Sequence, residues 1–322
     1  MSYQLGILDQ SPLLEGLTTG ESLQQTVYLA TLADELGYSR YWLAEHHNSL
    51  ELAGSSPEVL SAHILAKTNR IRVGSGGVML QHYEPYKVAE NFNVLAALHG
   101  DRVDLGVGNG PGGLINERPV TSTFEEKLAA LQQYTSKETK THQPLQATPL
   151  STHEPHLLLL GASRNSANLA TKYQLPYAFA QFFNGTEEEL REASTIYHKG
   201  EQANKHFILA VSVVVIKNQT EKALYSTPST FVKAKFQDGK VITFRSEEQA
   251  KAFSQPNNAI INFTKQTLVP IVGSAEEVQH RLDELARTYK VDEFLIHLAS
   301  VNKDVRAQTI KELSKIITAV HV

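Results

Sequence analysis

The stretch DLGVGNGPGG, residues 104–113, decides how this chain is read, because its GNGPGG matches the dinucleotide fingerprint G-x-G-x-x-G letter for letter. That fingerprint works where its glycines join a strand directly to a helix, so that a pyrophosphate rests on the helix N-terminus. Here Pro111 and then LINERPVTST separate the glycines from the first helical pattern, which begins near Phe124. An acidic residue should also close a second strand about twenty positions on. The acids available, Glu125 and Glu126, lie in a helix start. The stretch follows the fourth strand candidate, not the first, so the nicotinamide reading fails. Gly106, Gly108 and Gly110 are left with two readings: they let something large and flat approach the backbone, or they permit a sharp bend and nothing more.

Working outward, the run RVDLGV (102–107) is one of eight strand candidates. The others are QLGILD (4–9), RYWLA (40–44), IRVGSGGVM (71–79), HLLLLG (156–161), YAFAQF (177–182), FILAVSVVVI (207–216) and DEFLIHLA (292–299). They are mostly continuous rather than alternating, as parallel strands buried on both faces are. Helices with readable starts lie between them. Thr18-x-x-Glu21, Thr123-x-x-Glu126, Thr186-x-x-Glu189 and Ser274-x-x-Glu277 are capping boxes, and Ser56-Pro57 puts a cap before a proline at the first helical position. A last helix is expected from about Asp304 to Val320. Strands alternating with helices point to an α/β (β/α)8 TIM barrel, with a doubly wound sheet as the rival. The expected organisation is one barrel domain over 1–322. Residues 108–122 and 217–268 exceed a minimal barrel. The second is an insertion near the seventh strand and a candidate lid, with a hairpin turn at Asp238-Gly239.

Composition narrows the function. The 322 residues carry a net charge of −4, from 30 Lys and Arg against 34 Asp and Glu, which gives no basic field for nucleic acid. With no cysteine there is no disulfide framework, thiol catalysis or Cys-ligated zinc. MSYQLGILDQSPLLEG lacks a basic leader and carries Asp9 within its apolar stretch, so it does not read as a signal peptide. No apolar run approaches a membrane span. The expectation is a soluble, cytoplasmic enzyme without a membrane or nucleic-acid partner.

The second strand runs into Glu45-His46-His47-Asn48, polar groups at the end of a barrel strand where such enzymes place catalysis. An imidazole there can exchange a proton near neutral pH or hydrogen-bond a developing oxyanion. His47 reads equally well as a packed residue. Adjacent histidines on alternating sides of a strand do not suit one metal ion, and no HExxH occurs. His63, His99, His198 and His206 fall in helix patterns and read as ordinary. The fifth strand runs into Gly161-Ala162-Ser163-Arg164-Asn165-Ser166. Ser163 as an N-cap, Ser166 three positions on and Arg164 between them make a phosphate-favouring helix start, or plain capping. Tyr177, Phe179, Phe182 and Phe183 either flank a flat ring or belong to the core. Together these features suggest a bound phosphorylated cofactor.

These residues carry a resemblance to the bacterial-luciferase-like flavin monooxygenases, and within them to short single-chain relatives. The matching stretches run in order along the chain: LDQSP (8–12), RYWLAEHHN (40–48), SSPEVL (55–60), IRVGSGGVML (71–80), RVDLGVG (102–108), LLGASRNSANLA (159–170), YAFAQFF (177–183) and IVGSAEEV (271–278). The resemblance implies FMN, taken up reduced from a separate flavin reductase, with dioxygen and a small organic substrate such as an aldehyde or other carbonyl compound. It places His46, flanked by Glu45 and His47, at the position tied to oxygen chemistry. Ser163 and Ser166 fall on the phosphate, and Gly76, Gly77, Val78 and Met79 along the ring system, where the family often has a non-prolyl cis peptide. Asp9, Asn109, Gly110, Gly161, Ala162 and Arg164 complete the implied cofactor set. Relatives commonly form homodimers. Close relatives carry an arginine where this chain has Asn109, and an amide cannot replace a bidentate charged contact. Losing such a contact costs about 1.5–3 kcal/mol unless another cation, with Arg164 the candidate, compensates. The alternatives are hydride transfer with the deazaflavin F420, for whose anionic tail no cationic cluster is seen, and a non-catalytic flavin-binding protein.

Overall fold

Every one of the eight apolar runs contains a strand. The structure, a computed structural model, describes residues 3–110, 122–136, 145–182, 186–201, 205–239, 241–244, 246–254 and 259–319. In chain order the first part is β1 (Gln4–Asp9), α1 (Thr19–Glu35), β2 (Arg40–Leu43), α2 (Pro57–Leu65), β3 (Arg72–Met79), α3 (Pro85–His99), β4 (Val103–Gly108) and α4 (Phe124–Thr135). There follow β5 (His156–Gly161), α5 (Arg164–Lys172), β6 (Tyr177–Ala180), α6 (Glu187–Lys199) and β7 (Phe207–Val215). After β7 come α7 (Lys222–Tyr225), β8 (Ser229–Phe236), β9 (Val241–Phe244), α8 (Glu247–Phe253), β10 (Ile260–Leu268) and β11 (Ile271–Gly273). The chain closes with α9 (Ala275–Tyr289), β12 (Glu293–Leu298) and α10 (Lys303–Ala319). The parallel order β7-β12-β1-β2-β3-β4-β5-β6, with β6 pairing back to β7, closes an eight-stranded barrel. The doubly wound sheet is thereby excluded, and β11 adds to β7 as an extra parallel strand.

The strands show period two despite their continuous apolarity, because both faces are dry. One face sends Leu5, Ile7, Tyr41, Leu43, Val73, Leu105 and Phe207 against the helices. The other sends Leu8, Trp42, Ala44, Leu158, Ala178, Ile208, Ala210 and Leu295 into the barrel. A fully buried side chain of this size is worth about 1.5–3 kcal/mol, so the two clusters carry most of the fold. The four expected capping boxes form at Thr18, Thr123, Thr186 and Ser274, and Ser163 with Ser166 makes another at the start of α5. Ser56 differs from expectation: Pro57 opens α2, but the Ser56 hydroxyl makes no capping bond.

The insertion has its own small sheet, β10-β8-β9, antiparallel throughout. The β8–β9 hairpin turns at Asp238-Gly239, with Gly239 at φ 83°. Alternate residues of this sheet bury Ala234, Phe236 and Phe244 against Ala250 of α8. Lys233 donates to both carboxylate oxygens of Glu189 at 2.8 and 2.9 Å, tying the sheet to the first turn of α6. β10 was not anticipated. Its run INFTKQTL is mostly exposed or half-exposed, with only Gln266 buried, and does not resemble the dry strands.

The N-terminal end of the barrel holds an ionic cluster. Arg40, 5% exposed, bonds Asp104 and Glu293, both fully buried, at 2.8 Å each. Asp104 also accepts from Trp42 Nε1 at 2.8 Å and pairs with Arg72 at 2.6 Å. Glu293 pairs with His206 at 2.7 Å. Burial alone would raise the Asp104 carboxyl, but Arg40, His156 and Arg72 outweigh it and hold it far below the usual range. Arg40 and His206 do the same for Glu293. His206 is thus not an ordinary helix residue. It precedes β7 and closes this cluster, which the apolar pattern of the strands hid.

Candidate active site

Strand burial gives way to half-exposure toward the C-terminal ends, at Met79, Leu160, Gly161, Ala180, Ser212 and His297, and these mark an open mouth. The loops after β1 and β2 shape one side of it. Asp9 accepts the Ser11 N–H at 2.8 Å, bending the chain so that Ser11 sits at φ 49°. Asn48, just past β2, sits at φ 50°. Left-handed residues of this kind are uncommon and gather at functional sites. The two loops are laced together by Ala44 N to Asp9 O at 2.9 Å and Ala53 N to Ser11 O at 2.8 Å, and His46 N bonds Gly54 O at 2.8 Å.

The expected catalytic residues divide by burial. Trp42 and Ala44 face the barrel interior, and His46 lies half-buried in the loop that follows β2. Glu45 is only 1% exposed. It accepts from Met79 N at 3.0 Å, Tyr83 Oη at 2.5 Å and His47 Nε2 at 2.6 Å, while Tyr83 Oη lies 3.1 Å from His47 Nε2. A buried carboxylate with three donors is satisfied, and it holds the end of β3 against the end of β2. Lys127 of α4 donates to the carbonyls of Gln81 and Tyr83 at 2.9 Å and fixes the segment that carries Tyr83. Glu58, in the first turn of α2, is half-buried nearby. Burial pushes its carboxyl above the ordinary value, and Glu45 adds to the rise.

On the opposite rim, Ser163 caps α5 and accepts from Ser166 N at 3.3 Å. The two hydroxyls lie 3.2 Å apart, and Ser166 Oγ lies 2.8 Å from Tyr177 Oη. Ser163 and Arg164 are exposed, and the start of α5 that carries them directly follows β5. Gly161 permits this geometry, since a Cβ there would sit 2.2 Å from Ser166 Oγ. The Gly76–Gly77 peptide is cis, as the resemblance implied. A Cβ on Gly106 would fall 2.3 Å from Ser75 O, so that glycine serves strand packing. Gly108 is buried, and a Cβ there would meet nothing nearer than Leu160 O at 3.8 Å, so packing does not demand this glycine. Asn109 is exposed and Gly110 half-exposed, while the following 111–121 lie outside the described residues.

Asp9 needs correction. Its carboxylate bonds Tyr41 Oη and Arg306 of α10, each at 2.5 Å, as well as Ser11 N. Burial opposes its charge, but Arg306, Tyr41 and Ser11 hold it below the usual carboxylate range. It shares the parity of Leu5 and Ile7, which face the helices, so it anchors α10 instead of reaching a cofactor. The aromatic run also divides. Tyr177 and Phe179 are core, Phe182 reaches the mouth, and Phe183 is outside the described residues.

Sequence reading missed Tyr83, Glu58 and a group opposite His46. Ser212 Oγ lies 2.8 Å from His297 Nδ1, and the Phe182 ring stacks on His297 at 4.6 Å and 23°. The available signal was a histidine inside the apolar DEFLIHLA, two positions after an inward leucine. None of the described helices is long and apolar enough to cross a membrane.

The family model described as luciferase-like monooxygenase matches residues 3–291. A Bacillus subtilis (strain 168) protein named N-acetyl-S-alkylcysteine monooxygenase is 40% identical over 309 residues, covering 91% of this chain and 92% of that one. The crystal structure of apo-MsnO8 superposes with a TM-score of 0.78 at 29% identity, covering 98% and 99% of the two chains. The oxygenating constituent of a Pseudomonas putida 3,6-diketocamphane monooxygenase, solved with FMN, shares the fold, with TM-score 0.66, 16% identity and coverage of 98% and 97%.

Proposed function

The chain belongs to the luciferase-like monooxygenase family, and we propose that it uses reduced FMN from a separate flavin reductase, together with dioxygen, to oxygenate a small organic substrate. The observation that carries this reading is the pairing, across one barrel mouth, of the exposed Ser163–Ser166 helix start with His46. The donor set fits the phosphate end of FMN: two hydroxyls, backbone N–H groups at a helix start and the Arg164 guanidinium. The half-exposed Met79 and the small, unforced Gly108 suit a flat ring system. Asn109, Gly110, Gly161 and Ala162 line the path between them, with Gly76, Gly77 and Val78 behind. When bound, reduced FMN would supply two electrons to dioxygen, one oxygen atom entering the substrate and the other leaving as water.

The chain's own residues do the rest. Ser163, Arg164 and Ser166 bind the phosphate and set the depth of the ring. His46 holds and releases a proton at its imidazole on the mouth side. Glu45, fixed by Met79, Tyr83 and His47, keeps the β2 and β3 ends in register so that His46 faces the cofactor, and His47 serves that network. This reading gives the insertion, clasped to α6 through Lys233 and Glu189, the role of a lid that limits water. The B. subtilis relative's name makes N-acetyl-S-alkylcysteines the first substrate class to try, ahead of aldehydes and other carbonyl compounds. An anaerobic titration with reduced FMN, followed by oxygen uptake with N-acetyl-S-methylcysteine and with an aliphatic aldehyde, tests the reading. Saturable binding and substrate-dependent uptake support it. Binding of F420 without binding of reduced FMN would replace it by hydride transfer, and flavin binding with no uptake by a carrier role.

A further inference from the structure

The mouth has two halves, and the flavin reading uses one. In that reading the phosphate-binding groups sit at the end of β5, Gly108 ends β4, the cis peptide lies in β3 and His46 follows β2. The remaining arc, β6-β7-β12-β1, has its own floor at a single level. Register pairs Ser212 with His297 and His297 with Leu8. Phe182 N bonds Ala210 O at 3.3 Å, which brings Phe182 to the same level. One layer below, Ala210 and Leu295 are buried and belong to the interior cluster, and Leu160 and Phe182 pack on it from above. Ser212 and His297 share the inward parity of these residues but are half-exposed. They are thus polar groups set into an otherwise apolar floor.

Their geometry is constrained on two sides. Ser212 Oγ holds His297 Nδ1 at 2.8 Å, and the Phe182 ring lies nearly parallel to the imidazole at 4.6 Å. A side chain fixed by a hydrogen bond and a stacked ring loses little further entropy when it binds a ligand. Resting on the monooxygenase reading above, we infer that Ser212 and His297 form the specificity-determining element of the substrate half. The Ser212 hydroxyl donates to Nδ1, which leaves the imidazole proton on Nε2. His297 donates that proton to a carboxylate or amide carbonyl oxygen of the substrate, while the substrate's apolar part lies on the half-exposed Leu160 and Phe182. A site built to hydrogen-bond such a head group discriminates more strongly than an apolar pocket does.

The test is calorimetric titration of the full chain with oxidised FMN present, so that nothing turns over. The probes are N-acetyl-S-methylcysteine and, as a sulfide without a head group, methyl phenyl sulfide. The wild type is expected to bind the first at least about tenfold more tightly. His297→Leu should abolish that preference without changing affinity for FMN or for the plain sulfide. His297→Gln, which keeps a donor, should recover part of it, and Ser212→Ala should lose about threefold. A preference unchanged in His297→Leu, an equal loss for both probes, or no binding of N-acetyl-S-methylcysteine by the wild type would each overturn the inference. Oxygen uptake separates this from the broader reading. Uptake with unchanged discrimination in His297→Leu would sink the pair alone, whereas His297-dependent binding with no uptake would keep the pair and sink the monooxygenase.

Discussion

The two ends of the barrel hold similar residues in opposite conditions. At the N-terminal end, Arg40, Asp104, Glu293, Arg72 and His206 meet one another with bonds of 2.6–2.8 Å, and the two carboxylates are fully buried. At the C-terminal end, Ser163 and Arg164 are exposed and His46, Ser212 and His297 half-exposed. Charge at the first end is spent on the protein itself, while polarity at the second is presented outward. Buried ionic groups are costly unless fully paired, so the closed end is bound to stability and the open end is available to ligands.

The comparison can be broken, most forcefully, at His46. His46→Ala should lower turnover by about 10²–10⁴-fold, the usual span for a positioned proton-transfer group. Its denaturation midpoint should stay near wild type; a matching collapse in stability would erase the contrast. Arg40→Leu is the reverse experiment. It leaves Asp104 and Glu293 uncompensated and should cost about 3–5 kcal/mol in urea unfolding. Reduced-FMN affinity of the folded fraction should stay within about threefold, since distant sites act independently. Ser163→Gly sharpens the picture at the rim. Glycine keeps most of a helix cap, costing only a few tenths of a kcal/mol. Affinity for reduced FMN should nevertheless fall by about tenfold, the worth of a hydrogen bond to a charged group.

Acid gives the smallest effect. Asp104 and Glu293 have carboxyls held below their ordinary values of 3.8 and 4.5. Their contribution is therefore complete above those values and lost as pH falls through the depressed ones. Unfolding free energy should decline on the acid side of about pH 4, and Asp104→Asn should make that decline shallower by up to about 1.4 kcal/mol per pH unit. An unchanged acid limb would mean that the charge of Asp104 does not sustain the closed end.

Much of this was legible in the residues. The eight strands, the capping boxes at Thr18, Thr123, Thr186 and Ser274 and the hairpin at Asp238-Gly239 follow from local rules of patterning and turns. The Gly76–Gly77 peptide followed from the resemblance. What escaped depends on closure. Asp9 and His46 both stand in polar runs at strand ends, and one is buried against Arg306 while the other stays half-buried in the loop after β2. A strand's end does not announce which face is which. Arg40, Asp104 and Glu293 are far apart in sequence and read as isolated charges until the ring brings them together. Tyr83 lacked a signal because nothing marks an aromatic in a connection as a carboxylate's partner, and His297 gave only that of a histidine set in an apolar strand.

The seam between β1 and β12, fastened by Asp9 and Arg306, also sets a schedule. During synthesis β1 gains β2 as a neighbour early, but its other edge waits until almost the whole chain has emerged. Until then Arg40 has Asp104 without Glu293, and Asp9 has Tyr41 without its guanidinium. Contacts of such long sequence separation form late and slow folding. The nascent barrel is an open sheet with an exposed edge, so the last thirty or so residues finish a structure whose first strand has been waiting throughout.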